Sequence, residues 1–119
     1  EQNFEDLTKS EGITVIDFWA EWCGPCRAFS PIFEKVAAAN PDLQFTKCNT
    51  EQEQELAYAL GIRSIPTLMV FKDGVLIFNQ PGLVPEPALI ELLDKARKLD
   101  MVEVHTEMAT TPNMPGAEA

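Results

Sequence analysis

The chain has 119 residues, 45% of them apolar, which suits one domain with a single core and not a disordered polymer. Acidic residues number 19 against 9 basic ones, a formal net charge of −10. That balance excludes nucleic acid and anionic membranes as ligands, because either polyanion needs a basic footprint on its partner.

No apolar run approaches the roughly 18 residues of a membrane span. Residues 1–10 are acidic and mixed, without the pattern of a secretory leader. Three cysteines cannot make a closed disulfide framework, and Cys23 and Cys26 stand only three positions apart. In such a chain the spacing reads as redox or metal chemistry, and a cytoplasmic location is the expectation.

Residues 4–9 predict a short helix, punctuated by Gly12. The run ITVIDFW at 13–19 is nearly unbroken apolar, β-branched and aromatic sequence, the pattern of a strand covered on both faces. A turn-like Cys23-Gly24-Pro25-Cys26 follows and opens a helix to about residue 40, with Phe29, Phe33 and Val36 on one face. Pro31 lies inside it and predicts a kink, since it cannot donate to the carbonyl of Arg27.

Residues 43–48 predict a second strand. Thr50 and Glu53 have the spacing of a capping box, starting a helix that carries Leu56, Ala59 and Leu60 and ends at Gly61. Strands at 67–71 and 75–78 flank the hairpin signal Lys72-Asp73-Gly74. Pro85 and Pro87 precede a helix with Leu89, Leu92, Leu93 and Ala96 on one side. The order is that of an α/β fold with mixed strand directions. A short helix is expected over 101–108 and a flexible tail over 110–119, so the chain divides into a domain at 1–99, a terminal helix within 100–109 and the tail.

Between residues three apart, a purely structural disulfide would contribute only about 2 kcal/mol by loop closure, against roughly 4.7 for a loop of about 100 residues. A redox role fits better. Pro25 is pre-set for the first turn of a helix and Gly24 permits the approach before it, which puts Cys23 at a helix N-terminus. Unpaired backbone N–H groups and the helix dipole favour thiolate over thiol there, so the Cys23 pKa is expected to be depressed. Cys23 then attacks a partner disulfide and Cys26 resolves the mixed disulfide. Zinc is the rival, but Cys48 and His105 are distant and unpaired where a second short-spaced pair should be. Cys48 reads as a small buried apolar residue and His105 as surface.

The stretch Phe18-Trp19-Ala20-Glu21-Trp22-Cys23-Gly24-Pro25-Cys26 resembles the active-site segment of thioredoxins, a family whose C-x-x-C motif is a standard example of a lowered thiol pKa. Gly61-Ile62-Arg63-Ser64-Ile65-Pro66-Thr67 is similar to the family's second signature, Phe71-Lys72-Asp73-Gly74 to its hairpin and Gly82 to its third groove element. The resemblance runs from about Phe4 to Leu99 and implies a thioredoxin fold, a central mixed β-sheet flanked by helices. The family's first strand is missing from this chain, which would leave the 43–48 strand at a sheet edge.

By resemblance, Asp17 is the buried carboxylate behind the cysteines, and a lone acid in such a run is costly to bury charged, so its pKa should rise. It would assist deprotonation of Cys26, through water. Pro66 matches the family's cis-proline, and the backbone of Ile65 would bind an extended substrate as a sheet edge accepts a strand. Trp22, Gly24, Pro25, Ile65, Pro66 and Gly82 would form the substrate surface, with Trp19 rather than Trp22 in the core. Lys47 matches a supporting lysine near the acid.

The implied activity is protein disulfide reduction, with no bound cofactor or metal. NADPH and FAD belong to a partner thioredoxin reductase, disulfide-containing proteins are the clients, and the chain acts as a monomer. Competing readings are an oxidant or isomerase of the same fold, which Gly24-Pro25 between the cysteines disfavours, and a binding subunit without redox turnover, which intact Cys23, Cys26 and Asp17 disfavour.

Overall fold

The computed structural model describes residues 11–101. The expected helix at 4–9, nearly all of that at 101–108, His105 and the 110–119 tail lie outside them. Within this range the chain order is β1 (Ile13–Trp19), α1 (Gly24–Ala39), β2 (Gln44–Asn49), α2 (Gln54–Ala59), β3 (Thr67–Lys72), β4 (Val75–Pro81) and α3 (Glu86–Lys98).

The strands form one sheet in the order β2-β1-β3-β4. β1 pairs parallel with β2 and antiparallel with β3, and β3 pairs antiparallel with β4. Among the described residues β2 is therefore an edge strand, and it is much less buried than β1 or β3. The β3–β4 hairpin turns on Asp73 and Gly74, both with positive φ, the signature of the tight turn that matches strand twist. The register passes from Val70↔Phe78 to Phe71↔Leu76, so Ile77 is an extra residue in β4, a bulge.

Because side chains alternate across a strand, β1 sends its residues to two cores. Ile13 and Val15 face Phe29, Phe33 and Val36 of α1 and Leu89, Leu93 and Ala96 of α3, with Leu68 and Val70 of β3 beside them. Ile16 and Phe18 face the other way, into a cluster with Met69, Phe71, Leu60 and Ile62. Asp17 shares the parity of Ile13 and Val15, so the one acid of this strand points to the side that α1 covers. α1 runs unbroken through Pro31.

α2 differs from the expectation. Its N-cap is Glu53 without a side-chain cap bond, and the Thr50 hydroxyl donates instead to the carbonyl of Trp19 at 3.1 Å. The capping box is thus not formed, because Thr50 closes the end of β1. The buried residue of α2 is Ala57, and Ala59 is exposed. Its C-terminus does end as expected: Gly61 has φ +72°, its N–H donates to Tyr58 and that of Ile62 to Ala57, a Schellman motif. Pro87 does not precede α3 but lies in its first turn, where a missing N–H costs nothing.

The end of the molecule away from the cysteines is tied by polar contacts. The Lys72 ammonium donates to the carbonyls of Ala96 (2.7 Å), Arg97 (3.2 Å) and Leu99 (2.8 Å), satisfying the C-terminus of α3. Replacing Lys72 by Met keeps the hydrocarbon and removes the cap. We expect a stability loss of about 2 kcal/mol in urea unfolding, with the midpoint lowered and the slope unchanged.

Candidate active site

Cys23 sits where β1 has ended and α1 begins. It is the N-cap of α1, with extended backbone (φ −89°, ψ 109°), and Pro25 occupies the first turn. The Cys26 N–H donates to Cys23 Sγ at 3.1 Å, so a backbone donor that the helix cannot use is aimed at the sulfur. Cys23 and Cys26 form a disulfide with Cα atoms 5.2 Å apart. No acidic residue stands in the first turn of α1, whereas α2 and α3 carry Glu55 and Glu86 in theirs. In a chain so rich in acids, the positive end of α1 is left to the sulfur.

Both cysteines are nearly inaccessible, Cys23 at 3% and Cys26 at 4% exposure, and with Ala20 they form a small cluster against Trp19 and Ile65. Trp22 is 68% exposed, whereas Trp19, expected in the core, is only half-buried against this cluster. Cys23 Sγ lies 3.6 Å from the carbonyl oxygen of Ile65. The Ile65–Pro66 peptide is cis, and Pro66 is buried. The Gly82 N–H donates to the Pro66 carbonyl at 2.8 Å, which brings the third groove element to the second.

Two glycines behave differently. Gly82 has φ +89°, a conformation that disfavours any side chain. Gly24 has no such φ, and a Cβ there would meet nothing within 4 Å. The close approach expected at Gly24 is therefore not what the backbone requires. A groove next to Trp22 is lined by Thr50, Ala57, Ile62, Arg63, Ser64 and Ile65.

A separate cleft of about 420 Å³ is lined among others by Asp17, Cys26, Ser30 and Lys47. Asp17 is 1% exposed and its Oδ1 has no hydrogen-bond partner. Burial pushes its pKa up to about 6, against a smaller opposing pull from Lys47. Lys47 is its partner across the β1–β2 register, and its ammonium donates to Glu34 and to Ser30 of α1. Ser30 and Glu34 were not legible as site residues. The available signal was their spacing of four on the helix that begins at the cysteines. Cys48 is half-buried against the Ile16–Phe18 cluster, and burial first, then Glu53, pushes its thiol pKa up. Among the described residues no group of three or more His, Cys, Asp or Glu side chains forms a metal-binding cluster.

The family model described as Thioredoxin matches residues 1–95. The chain belongs to the thioredoxin family. It is 53% identical over 108 residues to a protein of Streptomyces coelicolor named as a thioredoxin 2, covering 91% of this chain and 81% of that one. Against the thioredoxin of Bacillus subtilis the identity is 42%, over 80% of this chain and 91% of the other. The oxidised crystal structure of mitochondrial thioredoxin 3 from Saccharomyces cerevisiae superposes with a TM-score of 0.73 at 34% identity, covering 79% of this chain and 88% of that one. With thioredoxin relatives and a disulfide-forming C-x-x-C pair, the chain is a protein-disulfide oxidoreductase with a thioredoxin fold. No helix among the described residues is long and apolar enough to cross a membrane.

Proposed function

We propose that this thioredoxin works as a reductase of disulfides in other proteins and is recharged by an NADPH-dependent, FAD-containing thioredoxin reductase. The observation that carries the reading is the Cys26 N–H aimed at Cys23 Sγ from the first turn of α1. In the reduced protein the same donor, with the helix dipole behind it, favours the Cys23 thiolate.

The thiolate attacks one sulfur of a client disulfide. A bond forms between Cys23 Sγ and that sulfur, and the other client sulfur leaves as a thiolate that takes a proton from solvent. Cys26, held one turn away, then loses its proton toward Asp17 through water and attacks Cys23 Sγ. The intramolecular disulfide forms and the second client thiolate departs, so two electrons pass from the Cys23–Cys26 dithiol to the client. A buried carboxyl with a pKa of about 6 is suited to accept that proton near neutral pH.

Trp22, Gly24, Pro25, Ile65, Pro66 and Gly82 make up the proposed client surface. An extended client segment would pair with the Ile65 backbone in the manner of an added strand, beside the exposed Trp22 ring. Lys47 supports Asp17 from β2. The chain needs no bound cofactor, since the nicotinamide and flavin chemistry stays in the reductase, and it acts as a monomer in the cytoplasm. Residues 1–99 are the domain proposed to do this work.

The test is insulin-disulfide reduction with NADPH and a thioredoxin reductase. NADPH consumption that depends on this chain and stops with Cys23→Ser is the expected result. Normal reduction of the chain by dithiothreitol with no NADPH consumption would reject the proposed recharging route.

A further inference from the structure

The outer wall of the Asp17 cleft holds a contact that the steps above do not use. Ser30 and Glu34 stand one turn apart on α1, and the Ser30 hydroxyl donates to Glu34 Oε2 at 3.1 Å. Lys47 Nζ reaches both from β2, donating to Ser30 Oγ at 2.6 Å and to Glu34 Oε2 at 2.8 Å. The β1–β2 register also sets Lys47 beside Asp17. The ammonium therefore has two competing destinations, the buried Asp17 carboxylate and the exposed Glu34 carboxylate. It is found on Glu34, while Asp17 Oδ1 stays without a partner.

Resting on the resolving role proposed for Asp17, we propose that Glu34, with Ser30, is a positioning residue for the resolving step: it holds the Lys47 ammonium on α1, so that the Asp17 carboxyl faces the cleft of Cys26 free of an ion-pair partner. A carboxylate paired directly with an ammonium in a buried cleft would bind its proton weakly and accept little from a thiol. Held at the cleft wall, Lys47 lowers the proton affinity of Asp17 less than burial raises it.

The other groups around Asp17 leave this competition intact. β3 places apolar Leu68 opposite it in the register. Arg27 of α1 donates through Nη2 to the backbone carbonyl of Glu21 at 2.8 Å, which ties that guanidinium to the loop after β1, where Glu21 also lines the cleft. Hydrogen bonds from Lys47 and then Ser30 hold the Glu34 carboxyl below its usual range, so it stays charged while Asp17 titrates.

The experiment follows the Asp17 carboxyl carbon by NMR against pH in the oxidised full chain, for wild type, Glu34→Gln, Lys47→Met and the double variant. Glu34→Gln should lower the proton affinity of Asp17 by roughly threefold or more, because the released ammonium swings inward. In the Lys47→Met background the same substitution should move it far less. An equal shift with and without Lys47 would mean that Glu34 acts through its own charge, and no shift would mean that the ammonium does not move; either overturns the proposal.

Resolution of a preformed mixed disulfide, followed against pH, separates this from the reading it rests on. Midpoint and pH profile moving together support the proposal. A shifted midpoint with a fixed profile removes Asp17, and Glu34 with it, from the resolving step. A fixed midpoint, with the wild-type profile still tracking Asp17, leaves the role of Asp17 standing and rejects the tether.

Discussion

Cys26→Ser should halt the protein as a covalent adduct with its client, and Cys23→Ser should form no adduct at all. The asymmetry follows from position. Cys23 caps α1 and receives the Cys26 N–H, whereas Cys26 lies within the first turn and lines the same cleft as Asp17. Removing the Cys26 sulfur leaves the attack in place and deletes the displacement that follows. A near-stoichiometric adduct should appear on a non-reducing gel and dissolve in dithiothreitol, with steady-state turnover down roughly a thousandfold or more for either variant. Trapping by Cys23→Ser instead would reverse the two roles.

Asp17→Asn has the second large effect, and its sign depends on pH. The folded protein binds the Asp17 proton more tightly than the unfolded chain does, since burial raises the pKa from 3.8 to about 6. The wild type is therefore free of this penalty below about pH 4, loses stability as pH rises toward and through 6, and carries the full cost above that. Asn bears no charge at any pH. The stability of Asp17→Asn relative to wild type should rise by about 2.5 kcal/mol between pH 4 and pH 8, read from urea unfolding at both. In the same variant resolution of the mixed disulfide at pH 7 should slow by about a hundredfold. A stability difference independent of pH would mean that Asp17 titrates alike in both states. The gain in stability and the loss in rate have one origin, a carboxyl kept where charging it is costly.

Much of this was legible because the signals are local. The run at 13–19 is β1 from end to end, the Phe29–Phe33–Val36 face is the buried face of α1, and Asp73-Gly74 turns the hairpin. Asp17 stood out as an acid in an apolar strand, and its burial follows from the strand's parity. The failures involve contacts between distant parts of the chain. Thr50 was misread as a cap because its hydroxyl is taken by Trp19, 31 positions earlier, and no local pattern records that. Ser30, Glu34 and Lys47 meet only once β2 is laid beside β1 under α1. Gly24 was assigned a steric need from its place in the motif, but the space around it is open.

The acid-free first turn of α1 bears on how this protein responds to its surroundings. The donor aimed at the Cys23 sulfur is a main-chain amide, which neither titrates nor exchanges with dissolved ions, and Cys23 itself is almost wholly enclosed. Added salt collapses the reach of exposed charges to a few ångströms but leaves such an enclosed dipole largely untouched. Under the proposed mechanism, encounter between this acidic chain and a charged partner should therefore vary with ionic strength, while reactivity at Cys23 should change far less between dilute buffer and brine.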